Sequence, residues 1–215
     1  MSNTTEKKRP LLTVEKKVLE LLALVTDGIT GATEALLSGD KNQVKELVSR
    51  EKMIDELYSE VEQLILHRIS TLDLPSRRLH ELITILRMLP EIERSGDLAE
   101  HIAWRASRRI GLEVSPRARG IIQRMCEILF KMWTSLSEAF ELYDAKISTA
   151  LDELDDELDE LHVSLTAEIV SANLAIPIAI EVAMVGRFYE RLGDHCVNLA
   201  KRVTYLASNQ PEIFQ

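Results

Sequence analysis

The residues of this 215-residue chain best equipped for chemistry are carboxylates that interrupt apolar stripes. Leu47, Ile54, Tyr58, Val61 and Ile65 recur at helical spacing, and Glu51 fills the gap after Leu47 with Asp55 one turn on. Leu151, Leu158, Leu161 and Leu165 repeat the pattern, with Asp155 in the gap and Asp159 a turn later. Elsewhere Leu82, Leu86 and Leu89 lead into Glu93 and Asp97, and Ala179, Ala183 and Gly186 lead into Glu190 and Asp194. Each set of four is expected to face the interior of its own unit. Four facing carboxylates cannot all stay ionised uncompensated, because each desolvated charge costs several kcal/mol. Protonation, pairing with Arg94 and Arg191, or bound cations would each resolve the conflict. The expectation is metal held by Glu51, Asp55, Glu93 and Asp97, and by Asp155, Asp159, Glu190 and Asp194.

All-oxygen donors favour hard cations such as iron(III), manganese, magnesium or calcium over a thiolate zinc site. A ferritin-like di-iron bundle would need Glu-x-x-His on two helices, and only Asp159-x-x-His162 comes near it. His101 and His195 read as surface or hydrogen-bonded histidines. Gly96 and Gly193 stand beside the third-helix pairs, where glycine costs about 1 kcal/mol relative to alanine. Its recurrence suggests a close backbone approach or room for a ligand. The acidic run from Asp152 to Glu160 reads, by itself, as a solvated face.

Helices must position these pairs, since apolar residues recur at three- and four-residue spacing almost throughout. The first is expected over about 11–37, ending at Ser38-Gly39. Asp40 then reads as an N-cap, with Gln43 completing a capping-box pattern. The second helix runs to about residue 70, and a turn at Asp73-Leu74-Pro75-Ser76 leads to a third ending near 110. Ser115-Pro116 is an N-cap followed by proline at the first helical position. Three more helices are expected over about 116–143, 145–172 and 177–208.

The halves repeat. Glu34-Ala35, Asp40 and Ile54-Asp55-Glu56-Leu57 match Glu138-Ala139, Asp144 and Leu158-Asp159-Glu160-Leu161 at an offset of 104. Glu93-Arg94-Ser95-Gly96-Asp97 matches Glu190-Arg191-Leu192-Gly193-Asp194 at an offset of 97. The expected fold is all-α, with six long helices forming two three-helix bundles in tandem. The expected division is a tail over 1–9, a first repeat over 10–112 and a second over 113–209.

Composition narrows the function. The 46 % apolar content excludes disorder as the main state. With 8 Gly, 6 Pro and 5 % aromatics, many-stranded sheets are disfavoured. A net charge of −9 argues against a general nucleic-acid binder. Cys126 and Cys196 lack metal or disulfide spacing and read as reduced core thiols, and Trp104 and Trp133 also read as core. Met1–Pro10 shows no secretory signal, and the most apolar stretch, 174–185, is broken by Pro177 and Glu181, so no membrane insertion is expected. Without a glycine-rich phosphate loop or a nucleophile motif, the chain is not expected to be an enzyme.

Glu190-Arg191-Leu192-Gly193-Asp194-His195 through Asn198-Leu199-Ala200, with Asp155-Asp156-Glu157-Leu158-Asp159-Glu160-Leu161-His162, resembles the PhoU family. Glu93-Arg94-Ser95-Gly96-Asp97 and Glu51-Lys52-Met53-Ile54-Asp55 extend the resemblance to the first half, so that it covers about 10–208. The first copy departs in carrying Leu98 and His101 where the second has His195 and Asn198. The resemblance implies two three-helix bundles, multinuclear metal binding by E/D-x-x-x-D motifs in some members, and no catalysis. It further implies a cytoplasmic adaptor between a phosphate ABC transporter and a sensor histidine kinase, restraining phosphate-starvation genes when phosphate is plentiful and reaching the inner membrane only peripherally through these partners. A homodimer is expected, with metal drawn from iron, zinc, manganese, magnesium or calcium. The alternatives are a ferritin-like metal-dependent oxidoreductase and a metal-free structural bundle.

Overall fold

Three- and four-residue apolar spacing yields six long helices in the computed structural model, which describes residues 13–208 apart from the side chains of Lys41 and Val48. The tail expected over 1–9 lies outside the described residues. The helices are α1 (Thr13–Ser38), α2 (Lys41–Thr71), α3 (Ser76–Ala106), α4 (Pro116–Leu142), α5 (Ile147–Ser171) and α6 (Ile176–Ser208). A short 3₁₀ turn, Ile110–Leu112, joins the halves, and there is no strand among the described residues. Helices α1–α3 pack on one another, as do α4–α6, giving the tandem three-helix bundles.

Both expected caps form, one of them by a different route. Ser115 Oγ accepts the Ala118 amide at 3.0 Å and starts α4 with Pro116 in its first turn. Asp40 Oδ1 accepts the Asn42 amide at 2.8 Å, but the reciprocal half of the box is absent. Ser38 Oγ accepts the Asp40 amide at 3.2 Å and itself donates to Gln43 Oε1. The turn after α4 relies on Tyr143 in the left-handed region (φ 54°), with its ring stacked on Phe140 and the Asp144 amide bonded to Ala139 O.

The halves share one continuous core. Helix α1 is buried on more than one side because it packs on α2, α3 and also α4. By length and composition it could cross a membrane, yet most of its apolar surface is inside this core. Gly111 presses against α1, where a Cβ would lie 2.0 Å from Leu36 O. Arg119 locks that corner by donating to Gly111 O (2.6 Å) and Leu37 O (2.8 Å), the latter a carbonyl at the end of α1. Across the halves, Tyr189 Oη and Thr33 Oγ1 share a buried hydrogen bond of 2.6 Å, and Ser95 Oγ meets His195 Nδ1 at 2.9 Å.

Helices α3 and α6 meet through a pseudo-twofold relation. Asn198 Nδ2 donates to Glu91 Oε1 at 3.1 Å, and at the positions related by the offset of 97, His101 stacks on Phe188 with ring centroids 5.6 Å apart. Only one of the two tryptophans is core. Trp133 is wholly buried, whereas Trp104 is 55 % exposed because α3 turns Ala103 and Ala106 inward on either side of it.

Candidate metal centre

The carboxylate pairs lie along the α2–α3 and α5–α6 seams, and glycine sets how near those helices come. A Cβ on Gly96 would lie 2.9 Å from Ile54 Cδ1. On Gly193 it would lie 2.5 Å from Asp155 Oδ1 and 2.6 Å from Leu158 Cδ2. The missing side chain at 193 is therefore what makes room for the Asp155 carboxylate. The pairs sit at the rim of each seam and not in the bundle interior that the stripe pattern suggests. Ile54 and Leu158 take the inward position, leaving Glu51 and Asp155 part-buried and Asp55, Asp159 and Asp194 exposed.

In the first seam the four expected residues do act on one another. Glu51 is pushed up to about 7 by burial, by repulsion from Asp55, Glu100 and Asp97, and by a hydrogen bond to Asp55. Burial raises Glu93, and Asp97 and Asp55 raise it further against the opposing charge of Arg94. Asp97 is raised by burial and Asp55, against His101 and Arg94. Arg94 eases this repulsion at a distance but makes no ion pair to the cluster among the described residues. Glu100 escaped the sequence reading, although Glu93-x-x-x-Asp97-x-x-Glu100 follows one helical face.

The second seam differs. Asp155 is pushed up to about 6 by burial and by Asp159, Asp194, Asp152 and Asp156. Glu190 instead pairs with Arg187, not Arg191, and its Oε2 is buried without a hydrogen-bond partner. His162 lies against Gly186. Burial raises both thiols, Cys196 well above its ordinary value and Cys126 less, so neither offers a ready thiolate.

As donors these residues fit a hard cation. Apart from Glu190, which pairs with Arg187, the seam carboxylates carry no ion pair among the described residues, and Glu190 Oε2 is buried without a hydrogen-bond partner. Among the described residues, however, no group of three or more Asp, Glu, His or Cys side chains already stands in a ligating arrangement. Side-chain rotation within the seams would have to complete one.

A pH dependence follows. Glu51 and Asp155 hold a proton more tightly folded than unfolded, so the stability these two groups contribute is full at low pH and is lost as the pH rises through about 6 to 7. Metal-free protein is expected to melt a few degrees higher near about pH 5 than near about pH 8. Glu51→Gln with Asp155→Asn should flatten that difference in a calorimetric pH series.

A family model described as PhoU domain matches residues 18–106 and again 122–203, one match in each helical unit. Among curated relatives, the "phosphate-specific transport system accessory protein PhoU homolog" of Deinococcus radiodurans is 30 % identical over 200 residues, covering 90 % of this chain and 92 % of the relative. Homolog 2 of Mycobacterium tuberculosis is 26 % identical over 198 residues, covering 91 % and 93 %. The crystal structure of PhoU from Pseudomonas aeruginosa superposes with a TM-score of 0.84 at 23 % identity, covering 92 % of this chain and 96 % of that one. Duplicated helical units, a carboxylate seam in each, and a family match to both halves lead to one assignment: the chain belongs to the PhoU family.

Proposed function

We propose that this protein is a non-enzymatic accessory regulator of phosphate uptake. It acts in the cytoplasm as an adaptor between a phosphate ABC transporter and a sensor histidine kinase, and restrains phosphate-starvation signalling when phosphate is abundant. The observation that carries this reading is the match of both helical units, across nearly the whole chain, to relatives named as accessory proteins of a phosphate-specific transport system. The chemistry of the chain agrees with work by binding. Its thiols are buried, His195 is bonded to Ser95 and His101 stacks on Phe188, and its long helices offer extended outer faces. Helix α5 carries an acidic run whose Asp152, Glu153, Asp156 and Glu160 are exposed, which suits basic partner surfaces.

Within this reading the two carboxylate seams take up metal ions, held by Glu51, Asp55, Glu93 and Asp97 and by Asp155, Asp159, Glu190 and Asp194. A bound cation would supply positive charge that lets the seam carboxylates stay ionised together. The chain's own contribution is to bring the pairs close through Gly96 and Gly193. The protein is proposed to be a homodimer.

Deleting the gene is expected to raise a phosphate-starvation reporter several-fold in phosphate-rich medium, with complementation restoring repression. Unchanged reporter output in a strain with no related copy would refute the regulatory role. Cross-linking in cells that recovers neither transporter nor kinase would refute the adaptor role.

A further inference from the structure

The α3–α6 seam has two ends whose residues correspond through the offset of 97, and the ends are charged differently. At one end Glu181 neutralises two cations, with Arg105 Nε 2.9 Å from its Oε2 and Arg108 on its Oε1. At the other end Arg202 stands in the place of Arg105, but the place of Glu181 is taken by Thr84. Thr84 is short and buried, and its hydroxyl is already bonded to His80 O at 2.8 Å.

The substitution leaves a groove of about 620 Å³ lined by His80, Thr84, Arg87, Glu91, Lys201 and Arg202, among others. Glu91 is the one carboxylate in that lining. It accepts from Asn198, and its other oxygen is 4.0 Å from Arg202 Nε, too far for a hydrogen bond. Arg202 Nε is buried with no hydrogen-bond partner. Arg87 and Lys201 are exposed and form no ion pair among the described residues. Three cations against one carboxylate leave the groove positive in a chain of net charge −9.

We propose that this groove binds a phosphate-bearing anion, seated against Arg202 as the Glu181 carboxylate sits against Arg105 at the other end of the seam. Guanidinium forks match the geometry of phosphate oxygens, and an added ammonium from Lys201 supplies a point charge. A phosphate dianion balances the surplus charge of the groove, whereas a monocarboxylate leaves part of it uncompensated. The volume falls in the range of small-molecule sites, with room beyond the anionic group itself. The phosphate could arrive free or as part of a larger metabolite. This site goes beyond the regulatory role proposed above and does not depend on it.

The test is calorimetric and NMR titration of the full chain, under chelator, with inorganic phosphate and with adenosine diphosphate as probes. Wild-type protein is compared with Arg87→Ala/Lys201→Ala and with Thr84→Glu, which supplies the carboxylate that the second repeat already accommodates. Saturable binding is expected, with shifts centred on Arg87 and Arg202 and at least about tenfold weaker affinity in both variants. Equal affinity for the two probes assigns the site to free phosphate, and tighter binding of the diphosphate assigns it to a phosphorylated metabolite; both support the proposal. No saturation by either probe up to about 10 mM, or affinities unchanged in the variants, would overturn it. Should Thr84→Glu melt abnormally, the double alanine variant decides, since both of its side chains are exposed.

Discussion

Chelator-stripped protein is expected to gain roughly 5–10 °C in melting temperature for each seam that fills when manganese(II) is restored at about a hundred times its dissociation constant. Mass action at that excess adds about 2.7 kcal/mol per occupied site, and a chain of this size shifts about 2–4 °C per kcal/mol. The gain has a structural origin. In the first seam burial and mutual repulsion hold Glu51, Glu93 and Asp97 above their ordinary range, and bound charge would remove that repulsion. Asp97→Ala with Asp194→Ala should abolish both the thermal gain and the metal found by elemental analysis. The seams should differ, because Glu190 must leave Arg187 before it can contribute. Asp97→Ala is thus expected to cost more metal than Asp194→Ala. Equal, near-zero metal in the wild type and the double variant would end the metal reading.

The second large effect is mechanical. Trp133→Ala should destabilise the protein by about 3–5 kcal/mol, the usual range for emptying a buried tryptophan site. Its ring is wholly buried between α4 and α6, and Nε1 donates to Leu192 O at 3.3 Å, one residue before Gly193. A fall of roughly 10 °C in melting temperature is therefore expected, while Trp133→Phe should lose much less. Trp104→Ala, at an exposed site, is expected to change stability by no more than about 0.5 kcal/mol. Similar melting for the two alanine variants would contradict the burial difference between them.

That contrast marks what a sequence carries and what it does not. Helix spacing, the Ser115 cap and the internal repeat are local or self-comparative signals, and all three were legible. Periodicity places a residue on a face only to within one position. Glu51 and Asp155 thus read as inward although Ile54 and Leu158 hold that place, and Trp104 reads as core although its neighbours Ala103 and Ala106 do. Turn chemistry was legible where glycine or proline wrote it. It was hidden at Tyr143, where aromatic stacking supports a left-handed residue that no composition rule anticipates. Contacts between the halves, such as Tyr189 with Thr33, join residues far apart in the chain and leave no trace in local pattern.

The reciprocal meeting of α3 and α6 is the geometry of a contact between two identical subunits about a twofold axis. Here both sides reside in one polypeptide, so their association depends on tethering and not on bulk concentration, and it survives dilution. Covalent linkage also frees each side from copying the other. In a symmetric pair every substitution appears twice, and the cost of a bad contact doubles with it. Within a single chain Phe188 can face His101 while Glu91 faces Asn198, and Glu181 can quench its arginines while Thr84 brings no carboxylate to Arg202. Duplication followed by fusion thus lets one surface be retained for adhesion while its twin diverges.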